Sequence, residues 1–200
     1  MSPRVLLALV VVGVALTAAV VLASVGGSAP PGLGPGERFE GAVLPTGWRA
    51  PEIDLDDEEG EPVRMADLRG QPVVVTFLYS TCEDTCPLQA QQVKGALNLL
   101  GDDVPALAIS VDPESDTPRT VRAFLSEQRM TGRMRFVLGS RRELERVWRG
   151  FRVEPQRDDL DHTARIVLVD PDGLQRVGYP LDQVTPERLA HDIALLAAGA

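Results

Sequence analysis

Read by the spacing of its apolar residues, the chain divides into an unbroken hydrophobic run, an irregular stretch, and a long alternation of strand-like and helix-like segments. Val5 to Val25 covers 21 residues without a charge. At about 1.5 Å per residue, a run of that kind crosses a ~30 Å hydrocarbon layer as a helix. Arg4 is the one charged side chain ahead of it and the next basic residue is Arg38, so the positive-inside rule predicts a cytoplasmic N-terminus and an extracytoplasmic body. The run exceeds the apolar region of a cleaved signal peptide, about 7 to 15 residues, which favours a retained single-pass anchor at residues 1–25 over cleavage near Ala23. No cysteine follows to carry a lipid, so a lipoprotein anchor is not expected. Residues 26–47 are rich in Gly and Pro, lack any period, and read as a flexible linker. The folded domain is expected to begin near Trp48 and to occupy residues 48–200.

Within that domain, Glu52–Leu55 and Pro62–Met65 flank a turn at Gly60 and predict a hairpin. Its acidic tip, Asp56 to Glu59, reads as a solvated loop rather than a cation site. Pro72 to Tyr79 is a continuous β-branched apolar run of the kind buried on both faces of a sheet. A helix follows from about Pro87 to Leu100, then a second buried strand from Val104 to Val111. Thr117-Pro118 supplies an N-cap and a first-turn proline for a helix to about Arg129. Met134–Leu138 reads as a strand, and Ser140 with Glu143 as the capping box of a helix to about Arg149. Arg165–Val169 and Leu174–Tyr179 form an antiparallel pair turned by Pro171-Asp-Gly173, and Thr185-Pro186 caps a last helix. Alternation of this sort predicts an α/β sheet with helices on both faces and mostly parallel central strands. The order resembles that of the thioredoxin-like fold.

Composition narrows the function. Twenty Lys and Arg against 29 Asp and Glu give a net charge of -9, which repels phosphate backbones and argues against a nucleic-acid partner. Two cysteines and two histidines are too few for an all-cysteine zinc site. Chemistry at soft ligands must therefore draw on nearly all of this stock.

The chemical signal is Cys82-Glu-Asp-Thr-Cys86-Pro87, directly after a buried strand and at the start of a helix. Unpaired amides and the macrodipole at such a position stabilise a thiolate. The i, i+4 spacing puts both sulfurs on one side of a helical turn, suited to a disulfide in one redox state and to two thiolates on one ion in the other. Glu83 and Asp84 oppose ionisation by like charge. A purely structural disulfide would close a short loop and stabilise little. Thiolates with imidazole suit Cu(I), Cu(II) or zinc, and His162 and His191 are the imidazoles available. His191 falls opposite Leu189, Ile193 and Leu196 on the last helix and is expected to face solvent. His162 lies in a polar loop that leads into a strand, where loops at strand ends converge on one rim. Asp112 can approach that rim, although its simpler role is to open the Asp112-Pro113 turn. Met130 and Met134 read as packing residues.

Three segments in this order, Phe77–Pro87, Ser110–Pro118 and Asp161-His162-Thr163 before Leu168–Gly173, resemble the Sco/SenC family of copper proteins. The resemblance covers about Trp48 to Ala200. It implies a thioredoxin-like, membrane-anchored domain that binds one copper through Cys82, Cys86 and His162. The implied role is maturation of the dinuclear copper centre of cytochrome c oxidase. Its partners would be the oxidase subunit that carries that centre and an upstream copper donor. The same resemblance allows Cys82 and Cys86 to act as a redox-active pair, a thiol-disulfide oxidoreductase that reduces the cysteines of the oxidase site. The family usually has Pro after the first cysteine, and here Glu83 stands there. A peroxiredoxin is disfavoured because its nucleophile usually follows a Thr by three residues, and that position is Tyr79.

Overall fold

The computed structural model describes residues 38–101, 104–154 and 165–199, all within one unit, Gly36–Ala200. Val5 to Val25 and His162 lie outside the described residues. Among those described, no helix is long and apolar enough to cross a membrane.

Eight strands are described: β1 (Ala42–Val43), β2 (Asp54–Asp56), β3 (Pro62–Arg64), β4 (Val73–Leu78), β5 (Ala106–Ser110), β6 (Arg135–Val137), β7 (Arg165–Val169) and β8 (Gln175–Pro180). The helices are α1 (Thr85–Leu100), α2 (Pro118–Glu127), α3 (Arg141–Phe151) and α4 (Pro186–Ala197). Strands β2 and β3 make the expected hairpin, and the other six form one sheet in the order β1-β8-β7-β4-β5-β6. All six residues of β4 are buried because its alternate side chains feed two cores. Val74 and Leu78 pack towards α1, α2 and α4. Val73, Val75 and Phe77 pack towards α3 and the hairpin.

The expectation of mostly parallel central strands is corrected. Strands β4, β5 and β6 are parallel, but β7 pairs antiparallel with β4, and β8 and β1 continue antiparallel outward. Strand β7 therefore starts at the end of the sheet where β4 finishes, since Ile166 lies opposite Thr76. That rim collects the end of β4, the end of β5 at Ser110, the first residue of β7 and the end of β8 at Pro180.

The acidic hairpin tip is solvated only in part, Asp56 and Glu59 being exposed and Asp57 and Glu58 not. Asp57 and Glu58 are each 6% exposed. Strand β6 is a sheet edge whose outward amides need acceptors. The Glu58 carboxylate takes the Phe136 N–H at 2.7 Å and the Asp56 carbonyl takes the Leu138 N–H at 2.9 Å. Arg135 Nε donates to Asp57 at 2.7 Å. Burial opposes the charge on Asp57, but the Glu61 and Glu59 amides and Arg135 outweigh it and hold the carboxyl below its usual range. Glu58, with fewer donors, is pushed up by burial.

The folded part also reaches upstream of Trp48. Ala42 and Val43 pair with Gly178 and Val177 of β8. Ahead of them, the fully buried Asp192 of α4 accepts the Glu40 N–H at 2.9 Å, the Gly41 N–H at 3.0 Å and the Tyr179 hydroxyl. A Cβ on Gly41 would collide with Val177 and Tyr179, so only glycine lets the chain lie this close to β8. Asp192→Ala should free residues 39–43 and cost about 2–4 kcal/mol, because it strands three donors. Urea unfolding with hydrogen exchange at Glu40 and Gly41 checks this.

Candidate metal centre

Strand β4 delivers the chain to the rim, where Cys82 N donates to the Tyr79 carbonyl in a turn before α1 begins at Thr85. The helix starts two residues earlier than the Pro87 expected from sequence, so Cys86 sits inside its first turn. Asp84 holds the N-cap position but its side chain makes no capping bond. The acceptor is Cys82 Sγ, which takes the Cys86 N–H at 3.3 Å and lies 3.6 Å from the Thr85 hydroxyl. A sulfur at a helix N-terminus is stabilised as an anion by these donors and by the macrodipole.

The two thiols are present without a disulfide between them and are inequivalent. Cys82 is 8% exposed and Cys86 is fully buried. The Cys86 thiol, hydrogen-bonding to the Cys82 sulfur, is the largest influence that lowers the Cys82 pKa to about 4; burial opposes it, while the Cys86 amide, the Thr85 hydroxyl and the Asp84 amide reinforce it. The same hydrogen bond, followed by burial, drives Cys86 far above the ordinary thiol range. Negative charge is therefore favoured on Cys82, the sulfur that accepts from the helix end, over Cys86. Such a pair can donate two soft ligands to one ion, or let Cys82 attack a disulfide and Cys86 resolve the product.

The loop that presents Cys82 is held from behind by Asp116, a residue not anticipated from the sequence. Asp116 Oδ1 accepts the Ser80 N–H at 2.7 Å and Oδ2 accepts the Ser110 hydroxyl at 2.6 Å. Burial pushes its carboxyl up, against those hydrogen bonds. Trp148 Nε1 in turn donates to the Ser110 carbonyl at 2.8 Å, tying this network to α3. Asp112 plays the turn role, its carbonyl accepting from Ser115 and Asp116 N–H. Met130 and Met134 are core residues. One signal for Asp116 was available: it directly precedes the Thr117 cap at the end of a loop leaving a buried strand.

His191 does not face open solvent. Its side chain is 22% exposed and Nδ1 lies 2.9 Å from Oδ1 of the buried Asp192. Among the described residues, no group of three His, Cys, Asp or Glu side chains is arranged to hold a metal. His162 is three residues ahead of Arg165, where β7 begins on the same rim.

The sequence model of the SCO1/SenC family matches residues 49–198. The chain belongs to that family. It is 32% identical to protein SenC of Rhodobacter capsulatus over 199 residues, covering 90% of this chain and 86% of SenC. Schizosaccharomyces pombe protein sco1 is 28% identical over 155 residues, 68% of this chain. The chain spans 58% of that relative's length, and 52% and 50% of the mitochondrial SCO2 homologues of Mus musculus and Bos taurus. Among solved structures, copper-bound ScoI of Bradyrhizobium japonicum is similar with a TM-score of 0.63 at 33% identity, covering 74% of this chain and 98% of that one. BsSco, a Sco-family cytochrome c oxidase assembly protein with a disulfide switch, has a TM-score of 0.69 at 22% identity, covering 80% of this chain and 99% of its own. It shares the fold, a mixed α/β sheet consistent with the thioredoxin-like Sco architecture.

Four outcomes are expected of this site. Alkylation of Cys82 by iodoacetamide should hold a plateau down from neutral pH and fall to half only near pH 4. Cys86→Ala removes the leading donor and should move that midpoint up by roughly 1–3 units. By linkage, a depressed thiol pKa adds stability that is full above the unfolded value of about 8.5. That stability is lost as pH falls through about 4. Asp116→Ala should lower the urea midpoint by the equivalent of about 2–4 kcal/mol through the stranded Ser80 and Ser110 donors.

Proposed function

We propose that the chain is a membrane-anchored, extracytoplasmic copper metallochaperone that serves assembly of the dinuclear copper centre of cytochrome c oxidase. The observation that carries this reading is the inequivalent pair of thiols at the start of α1, in a chain of the SCO1/SenC family. Copper is the cargo. Cys82 as a thiolate, Cys86 deprotonated on binding and His162 as a neutral imidazole would hold it, a soft donor set that favours Cu(I). The chemistry of the described sulfurs fits that ion, since one is already anionic and the second lies one helical turn away. Three protein ligands leave the ion open to exchange with a partner, as delivery requires. An upstream copper donor and the oxidase subunit bearing the copper centre are the proposed partners. Val5–Val25 is the proposed single-pass anchor.

The asymmetry of the thiols favours a second reading, a thiol-disulfide oxidoreductase that reduces the oxidase cysteines. Here Cys82 attacks, Cys86 resolves, and His162 is dispensable.

Cu(I) titration of the reduced chain against a competing chelator, without oxygen, separates them. The chaperone reading expects tight one-to-one binding that weakens at least about tenfold, or ~1.4 kcal/mol, in His162→Ala. Weak binding unchanged in His162→Ala, with the cysteine pair still cycling, would overturn it in favour of the reductase.

A further inference from the structure

Beside the Cys82 sulfur lies a cleft of about 470 Å³ whose walls include Cys82, Glu83, Pro87, Phe124, Glu127 and Gln128. One wall is the loop into α1 and the other is the last turn of α2, so the fold brings together two carboxylates far apart in sequence. Several carboxylates elsewhere are matched to arginines: Asp57 with Arg135, Glu114 with Arg141, Asp170 with Arg176 and Glu40 with Arg188. Glu83 and Glu127 differ. Both are exposed, and among the described residues neither has an ion pair or side-chain hydrogen bond. Glu127 also stands at the C-terminal end of its helix, where the macrodipole disfavours an anion. Lys94 Nζ is engaged with the Gln128 carbonyl at 3.3 Å and is not part of the lining. The buried Phe124 supplies an apolar wall.

Two carboxylates without an ion pair, lining the cleft beside Cys82, weaken any approach by an anion and favour a cation, an effect strengthened where low-dielectric walls focus the field. We propose that this cleft docks a cationic segment of a partner protein, one with Lys or Arg flanking its own cysteine, and that Glu83 and Glu127 select it. The inference rests on Cys82 being the reactive sulfur of the proposed site, and it names the chemistry of what reaches that sulfur.

The test is disulfide exchange by the reduced full chain with three small probes: cystamine (cationic), 2-hydroxyethyl disulfide (neutral) and dithiodiglycolate (anionic). In each, the Cys82 thiolate attacks one probe sulfur, the probe S–S bond breaks, and the leaving thiolate takes the electron pair and a proton from solvent. Cys86, losing its proton, then attacks the Cys82 sulfur and releases the second probe thiol. The cysteine pair is oxidised by two electrons and the probe is reduced to two thiols.

With rates normalised to the neutral probe and to a free small thiol, cystamine should outpace dithiodiglycolate by at least roughly tenfold at low salt. The ratio should shrink towards one in ~0.5 M salt, where the Debye length is only about 4 Å. Glu127→Gln should cut the ratio about threefold, and Glu83→Gln with Glu127→Gln should abolish it. Equal normalised rates in the unaltered chain overturn the docking proposal and leave the thiol site standing. A preference that survives the double variant overturns the assignment to these two residues. Failure of all three probes overturns the reading of Cys82 as the reactive sulfur, and the docking proposal with it.

Discussion

The first amides of a helix have no partner within it and must find an acceptor, and at the start of α1 that acceptor is a sulfur. Much of the site follows from this substitution of Cys82 for a conventional capping oxygen. The sulfur is drawn in towards the helix end, its negative charge is stabilised there, and the second cysteine, one turn along, is pressed into the core beneath it. A thiol of lowered pKa and a shielded one thus arise from a single piece of local geometry. The Thr76 hydroxyl, hydrogen-bonded to the buried Gln89 amide at 2.9 Å, fastens the same helix to β4 one turn further in.

The sheet supplies the second constraint. Because β7 runs against β4, its first residue, Arg165, stands at the rim where the cysteines sit. Parallel order throughout would have delivered it to the opposite end. Asp116, reaching from the far side of β5 to the Ser80 amide, keeps the cysteine loop in register with that rim. Cys82 therefore depends on residues from four separate stretches of chain.

Much of this was legible in the sequence. Strand β7 falls on Arg165–Val169 as its pattern predicted, and the Thr117, Ser140 and Thr185 caps open their helices as expected, because apolar period and side-chain capping are local properties. Cys82 and Cys86 stand out in the sequence by their spacing and position alone. What escaped reading were charges whose partners are distant in sequence. Asp57 and Glu58 look like a solvated tip until Arg135 and the edge of β6 are brought against them. Asp192 looks like a helix surface residue until Glu40 and Gly41 arrive from the other end of the chain. Asp116 looks like a turn residue until Ser80 and Ser110 converge on it. The start of the domain was missed for the same reason, since two residues of β1 leave almost no pattern and are held by β8 and, just ahead of them, by Asp192.

The two outer strands of the sheet have a consequence for self-association. An open sheet edge is a template on which another copy can add a strand. On one side the edge is β1, two residues long, and on the other it is β6, three residues long with the Phe136 and Leu138 amides already occupied by Glu58 and Asp56. Neither offers the run of vacant backbone groups from which a zipper between copies could grow. Crowding many copies together therefore leaves backbone templating unfavoured, and encounters between molecules are decided by side chains.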